Sequence, residues 1–484
     1  MSNFLDKLAA VAFYASILLV IPFIFSLIIG DGGWIPIGIT ITILALPAVP
    51  QMIIGVAKNI YNFIMSILNP DTPFNYAKIV NMDMMRKKVE ILTLGEVLAI
   101  TSLAWIIVPV ISMIPYLWYG IAPLDAFFES ASGWTSTGLT ALETVTVLPQ
   151  SIILFRSITQ WIGGLGIIIL ILSTFRGKEA ISFLKAEGRQ SMELGIGKTV
   201  EVTFKVYIVL TILGILFLMA SGFDVFNAVN LAFSGLSNGG FFPFDSYDLS
   251  ALQKMVLAML MFAGATSFLF YRSIWHGAID RALLDEEFVL YVFVIILAVI
   301  MIIAIGKEDI FNSILNGISA IATGGFGIGD LGILHTFAMY VLILMMLCGG
   351  MVGSTTGGIK LWRILVILKA MVIQVKETFL PHGTVQRVKI NNLPINDSMI
   401  VESATFVFAY LFLFLFSAGI LLTANYTLQN SLFMVASAMG NVGLATLNVP
   451  ILGVGSKILL IGLMYLGRIE IFPCLALIGY LMRR

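Results

Sequence analysis

Long apolar runs separated by short polar connections set the pattern of this chain. They fall at about 8–30, 35–57, 91–119, 151–175, 202–221, 251–275, 287–305, 335–372, 398–424 and 456–482. A helix rises about 1.5 Å per residue, so about 20 apolar residues cross a hydrocarbon layer ~30 Å thick. The runs predict about ten membrane-spanning helices. Shorter apolar stretches at 124–134, 224–236, 309–321 and 428–439 are too brief to cross.

Composition agrees with a bilayer as the solvent. Of 484 residues, 59% are hydrophobic and 11% charged, against about 25% charged in a soluble domain. Mean hydropathy is +1.02. The net charge of zero gives no reason to expect a nucleic-acid partner. Cys348 and Cys474 sit in apolar runs, which speaks against a disulfide framework or zinc cluster. His276, His335 and His382 lie far apart without metal-ligand spacing. The first run follows Met1-Ser2-Asn3-Phe4, which carries little positive charge, so it is expected to be a retained span.

Basic residues gather in alternate connections: Lys58 to Lys88, Arg176 to Lys205, Arg272 with Arg281, Lys360 to Lys389, and Arg483-Arg484. The intervening connections hold Asp31, Asp125, Glu143, Asp224, Asp245, Asp248, Glu308, Asp309 and Asp330. By the positive-inside rule the basic connections and both termini face the cytoplasm, and every short apolar stretch lies on the outer side.

A fourfold internal repeat follows: span, short helix, Gly-rich bend, span. The bends run Ser132 to Thr140, Ser234 to Phe241, Ser319 to Gly327 and Ser437 to Ala445. Asp125, Asp224 and Asp309 stand near the starts of three short helices, as N-terminal caps would. Each helix points its partially negative C-terminus toward the membrane interior, so four ends converging on one axis favour a cation. Extended Gly-containing segments can aim backbone carbonyls at it and replace its water shell. The plainer alternative is four small-residue helix-packing sites.

The four bends resemble the filters of the Trk/Ktr/HKT superfamily of potassium transporters. So do Arg156-Ser157 with Gln160-Trp161-Ile162-Gly163-Gly164-Leu165-Gly166, Gly349-Gly350 with Gly353 to Lys360, and Gly467-Arg468-Ile469-Glu470-Ile471-Phe472. The two extra N-terminal spans resemble the TrkH type. The resemblance implies an all-α integral membrane protein of four membrane-pore-membrane repeats around one pore. The expected organisation is an N-terminal pair at 1–57, a cytoplasmic connection at 58–90, and repeats at 91–175, 202–275, 287–372 and 398–484. The resemblance also implies K⁺ as the transported ion, no tightly bound cofactor, the cell membrane as location, and a homodimer on a cytosolic, TrkA-like ring of nucleotide-binding subunits. Its key filter glycines would be Gly138, Gly239, Gly324 and Gly443. The ion path would be lined by Ser136, Thr137, Gly138, Ser237, Asn238, Gly239, Ala322, Thr323, Gly324, Asn441, Val442 and Gly443. Asn238 and Asn441 would then stand where the other loops have Thr137 and Thr323.

Two further features point to a gate. The eighth run is too long and carries Gly349, Gly350, Gly353, Ser354, Thr355, Thr356, Gly357 and Gly358. Each glycine costs a helix about 1 kcal/mol against alanine, so this stretch is expected to be a mobile intramembrane loop below the filter rather than a helix. A packing kink is the alternative. Arg468 lies inside the last run, where an unpaired charge costs at least about 2.5–3.5 kcal/mol. It is expected either to act as a positive barrier touching the loop or to pair with Glu470 or Glu129.

Rival readings are K⁺ cotransport coupled to H⁺ or Na⁺, with Glu129 or Glu470 as proton carriers, and the K⁺-conducting subunit of an ATP-driven pump. An intramembrane enzyme would need a nucleophile–base or metal constellation, and the sequence offers none with suitable spacing.

Overall fold

The computed structural model describes residues 2–50, 94–174, 196–245, 248–306, 309–379 and 386–482. The connection expected at 58–90, most of the basic segment 176–205, and Arg483-Arg484 lie outside the described residues. Helices α1 (Ser2–Leu18) and α2 (Val20–Ile29) form the first span, and α3 (Trp34–Ala45) returns beside α1. The first repeat holds α4 (Leu94–Ser112), α5 (Ile114–Trp118), the short α6 (Pro123–Trp134) and α7 (Gln150–Thr174). The second holds α8 (Ile196–Ala220), the short α9 (Val225–Leu236), α10 (Ala251–Ala265) and α11 (Phe268–Trp275). Helix α12 (Ile279–Leu283) leads into the third: α13 (Glu286–Gly306), the short α14 (Ile310–Ile321), α15 (Thr336–Cys348) and α16 (Leu361–Glu377). A two-stranded antiparallel hairpin, β1 (Lys389–Ile390) and β2 (Leu393–Pro394), precedes the fourth. That one holds α17 (Asp397–Leu422), the short α18 (Leu428–Met439), α19 (Val454–Ile469) and α20 (Ile471–Met482).

Caps fix where the short helices start. Asp224 accepts from the Asn227 N–H, Asp309 from the Phe311 and Asn312 N–H groups, and Thr427 from the Asn430 N–H. Asp125 differs from expectation. Pro123 opens α6, Asp125 lies within its first turn, and its carboxylate takes an ion pair from Lys457 at 2.6 Å.

Five described helices are long and apolar enough to cross a membrane: Leu5–Ile29, Leu98–Trp118, Glu201–Ala220, Glu286–Gly306 and Asp397–Leu422. Several other expected spans are broken. The run at 251–275 bends by 92° between α10 and α11, where Thr266 is extended. The run at 335–372 opens into a loop between α15 and α16. The last run breaks at Glu470, whose φ is +67°.

The fold is built inside out relative to a soluble protein. Phe408 and Phe412 on α17 are 74% and 60% exposed, as a lipid-facing surface requires. The short helices are the buried element: Phe128, Ala131, Leu231, Leu236, Leu315, Ile321, Phe433 and Val435 have no accessible surface. Each short helix packs against a span of its own repeat and a span of the preceding repeat. Helix α9 lies against α7, α14 against α10, α18 against α15, and α6 against α19. The last contact joins repeat four to repeat one, so the arrangement closes into a ring.

Candidate functional site

The four short helices end in the same backbone turn. Four residues beyond the helix serines Ser132, Ser234, Ser319 and Ser437 stand Ser136, Asn238, Thr323 and Asn441, with φ of 52°, 53°, 52° and 52°. The next residue in each loop donates its N–H back to the carbonyl of that serine: Thr137 at 2.9 Å, Gly239 at 2.8 Å, Gly324 at 2.7 Å and Val442 at 2.8 Å. Then comes a glycine of positive φ: Gly138 (92°), Gly240 (77°), Gly325 (73°) and Gly443 (96°).

This corrects the expected alignment. Gly239 and Gly324 are not the equivalents of Gly138 and Gly443; Gly240 and Gly325 are. Asn238 and Asn441 align with Ser136 and Thr323, not with Thr137. In the second and third loops two successive glycines occur, and each is glycine for a different reason. Gly240 and Gly325 need positive φ. Gly239 and Gly324 leave room for side chains from the preceding repeat: a Cβ on Gly239 would meet the Gln160 amide, with its nitrogen at 2.8 Å, and one on Gly324 would meet Met261, with Cγ at 2.6 Å.

The positive-φ glycines form a closed circuit. A Cβ on Gly138 would run into the Gly239 carbonyl oxygen. On Gly240 it would lie 2.8 Å from the Gly324 oxygen, and on Gly325 2.5 Å from the Val442 oxygen. On Gly443 it would run into the Thr137 oxygen and lie 3.0 Å from Gly138 Cα. Four glycines and four carbonyls therefore interlock in the order one, two, three, four, one. A side chain at any of these glycines would break the circuit.

Side chains at the turns are directed to partners outside the circuit. Ser136 Oγ donates to the Gln160 carbonyl at 2.8 Å, and Ser237 Oγ to the Ser234 carbonyl at 3.1 Å. Asn441 Nδ2 donates to Thr137 Oγ1 at 2.9 Å and to the Met464 carbonyl at 2.8 Å. Ala322 caps α14 through its N–H to the Ile318 carbonyl. The Ser132 and Ser437 hydroxyls, which the sequence reading passed over, accept from the Gly138 and Gly443 N–H groups, each at 3.0 Å.

Residues 349–360 cross against these loops as an irregular segment. Gly349, Gly353, Gly358 and Lys360 all have positive φ. The segment meets three of the four turns. Asn238 Nδ2 donates to Thr355 Oγ1 at 3.0 Å, and the Gly357 N–H donates to Thr323 Oγ1 at 3.2 Å. A Cβ on Gly357 would meet the Gly440 carbonyl and lie 2.9 Å from Asn441 Oδ1. Its backbone is satisfied by its neighbours, as non-helical chain at membrane depth must be. The Met351 and Thr355 N–H groups donate to the Ala265 and Gly264 carbonyls, and the Gly353 carbonyl accepts from the Phe268 N–H. The Val352 N–H donates to Glu287 Oε1 at 2.7 Å. Ser354 Oγ donates to the Met351 carbonyl at 2.5 Å and lies 2.8 Å from Thr356 Oγ1. Gly350 packs on Ala265, and the Lys360 ammonium donates to the Thr356 carbonyl. The bend between α10 and α11 is thus where this segment is received.

Arg468 pins the segment. Nη1 donates to the Thr355 carbonyl at 2.8 Å, and Nη2 to the Gly163 and Gly164 carbonyls at 2.5 and 2.9 Å. The alternative ion pairs with Glu129 and Glu470 are taken by others. Glu129 receives Arg156 Nε at 2.8 Å and Nη2 at 2.5 Å, and it also accepts from the Thr140 hydroxyl and the Ala141 N–H. Glu470 pairs with Arg363, Nη2 to Oε2 at 2.6 Å. Among the described residues no group of three or more His, Cys, Asp or Glu side chains is placed to hold a metal ion.

A mostly helical membrane protein in which four glycine-bearing loops interlock is the class that fold and site define. The family model for TrkH, described as cation transport protein, matches residues 87–306 and 292–482. The chain belongs to the TrkH family. It is 33% identical over 408 residues to an uncharacterised cation transporter of Methanocaldococcus jannaschii, covering 81% of this chain and 83% of that one. It is 26% identical over 405 residues to the Trk system potassium uptake protein TrkH of Escherichia coli, covering 78% and 84%. The crystal structure of the potassium transporter TrkH from Vibrio parahaemolyticus superposes with a TM-score of 0.81 at 22% identity, covering 100% of this chain and 99% of that one. That likeness shows the fold.

Proposed function

We propose that this chain takes K⁺ up across the cell membrane through the ring formed by Gly138, Gly240, Gly325 and Gly443, with residues 349–358 as the gate. The carrying observation is the closed circuit of four glycines and the Thr137, Gly239, Gly324 and Val442 carbonyls. Backbone oxygens around one axis can replace the hydration shell of an alkali ion, and four helix C-termini add negative potential there. Relatives in Escherichia coli and Halomonas elongata carry the name of potassium uptake proteins.

K⁺ enters from the outer, acidic side, sheds water at the ring and stops at the intramembrane segment. The segment as folded here is the closed gate. Asn238, Thr323 and Arg468 hold it, and the Arg468 guanidinium adds a positive barrier. Opening requires a cytosolic regulatory partner, and the working unit is a homodimer docked on it. Both termini lie in the cytoplasm, and K⁺ is cargo rather than a resident cofactor. The chain acts as a transporter and not as an enzyme. Proton coupling through Glu129 or Glu470 is disfavoured because each is held in a buried arginine pair.

The test is ⁸⁶Rb⁺ uptake into proteoliposomes. Uptake competed by external K⁺ but not by Na⁺, and driven by the K⁺ gradient without a pH or Na⁺ gradient, supports this reading. Uptake that follows an imposed pH or Na⁺ gradient instead overturns the passive pathway.

A further inference from the structure

Gln160 sits at the joint between the first two loops. It lies on α7 with no accessible surface. Its backbone carbonyl accepts the Ser136 hydroxyl of the first loop at 2.8 Å. Its side chain turns to the second loop. Nε2 donates to the Gly239 carbonyl at 2.6 Å, while Oε1 accepts from Ser234 Oγ at 2.8 Å and from the Phe241 N–H at 3.1 Å. The Gly239 carbonyl is one of the four that interlock with the glycine ring. At the matching place beside Gly324 stands Met261, a thioether that cannot donate. The second loop therefore carries a polar prop that the third lacks.

We propose that Gln160 is a positioning residue that sets the preference of the ring for K⁺ over Na⁺ by holding the Gly239 carbonyl. The inference rests on the K⁺ pathway proposed above and adds to it the residue that tunes its selectivity. Two effects of the Nε2–H···O bond act in the same direction. It ties the carbonyl to α7, so the second loop cannot move inward around a smaller ion. It also occupies one of the oxygen's two lone pairs, lowering the field that the oxygen offers, and a weaker field favours the larger, less strongly hydrated ion. Oε1 makes the prop directional. Two donors, Ser234 Oγ and the Phe241 N–H, hold the amide so that Nε2 faces Gly239.

The test compares Na⁺ and K⁺ permeability, by reversal potential or paired flux, in wild type, Gln160→Met, Gln160→Glu and Ser234→Ala. Gln160→Met keeps the bulk and removes the donor. It is expected to lower the K⁺/Na⁺ ratio about three- to tenfold, the scale of one buried hydrogen bond. Gln160→Glu keeps the acceptor for Ser234 and Phe241. It loses the donor when ionised and regains one when protonated, so its ratio should recover at acid pH while the wild-type ratio stays level. A merely structural role would not produce that pH profile. Ser234→Ala removes a single hydroxyl and should shift the ratio in the same direction, less far. It also decides the matter if the Gln160 variants do not fold. Unchanged ratios in all variants that carry current, with no pH dependence in Gln160→Glu, overturn the proposal. Wild-type protein without K⁺ preference overturns the pathway reading instead.

Discussion

Arg468 donates from Nη1 to the carbonyl oxygen of Thr355 at 2.8 Å, so the last span holds the middle of the intramembrane segment directly. The same guanidinium reaches the Gly163 and Gly164 carbonyls of α7. One side chain ties the first repeat, the third and the fourth together. Hydrogen bonds from a charged group to buried acceptors are worth about 1.5–3 kcal/mol. Arg468→Ala is expected to raise ⁸⁶Rb⁺ flux of the protein alone, without any regulatory partner, by about 10- to 100-fold. Equal or lower flux from folded variant protein would sink the gate assignment.

Gly357 offers an independent check, because its φ is unremarkable and only its contacts forbid a side chain. A Cβ there would press on the Gly440 carbonyl and carbonyl carbon, which belong to the fourth turn and cannot yield as a flexible side chain would. Gly357→Ala should push the segment off the turns, at a cost of about 1–3 kcal/mol, and raise unregulated flux. Gly353→Ala strains the backbone at φ +79°, where the Ser267 hydroxyl at 3.2 Å is the near neighbour. It should destabilise the segment without pushing it off the turns, so flux should rise less than in Gly357→Ala. Flux measured on both variants side by side checks the difference.

The Arg156–Glu129 pair is 1% and 0% exposed and is stacked under the Phe241 ring, 4.0 Å from Arg156 Cζ. Arg156 Nη1 also donates to the Phe242 carbonyl at 3.2 Å, so the pair braces the first and second loops from outside the ring. Removing one partner leaves an uncompensated charge. Arg156→Met is expected to cost about 3–5 kcal/mol, read as a lowered thermal midpoint in detergent. Removing both, as Arg156→Met with Glu129→Gln, should recover part of that loss.

Asp31 lies outside the spans and fastens the N-terminal pair to the first turn of α7. Burial alone would raise its carboxyl. Hydrogen bonds from the Ser26 hydroxyl, the Ser151 N–H and hydroxyl, and the Gly33 N–H outweigh that and hold it below the ordinary value of 3.8. A carboxyl depressed in the folded state contributes stability that is complete above its unfolded pKa and is lost as pH falls through the folded value. Thermal midpoints of wild type and Asp31→Asn should differ by a constant amount from pH 7 to about 4 and converge below that. A gap that persists unchanged to pH about 2 contradicts the assignment.

The alternation of short helices with longer apolar runs was legible because it is written in lengths. Stretches of 12 residues cannot cross a bilayer, and each stands between two longer apolar runs. The broken eighth run was legible from the glycines at 349–358. The register of the four glycine loops was not. Gly239-Gly240 and Gly324-Gly325 present two candidates each, and only the backbone shows which one carries positive φ. The partner that makes Gly239 a glycine, Gln160, lies 79 residues earlier. Arg468 was expected near the segment on charge and depth. Its rivals, Glu129 and Glu470, were settled only by Arg156 and Arg363 reaching them first. The break at Glu470 was missed although Pro473, in the first turn of α20, marks a helix start. The neighbouring charges Arg468 and Glu470, each drawn to a different partner, were a second sign.

Anomalous scattering from crystals grown in Rb⁺ tests the central claim most directly. The account predicts a Rb⁺ peak on the axis enclosed by the Thr137, Gly239, Gly324 and Val442 carbonyls, lost in Gly325→Ala. Rb⁺ bound elsewhere in protein that transports it, with that ring empty, would contradict the account.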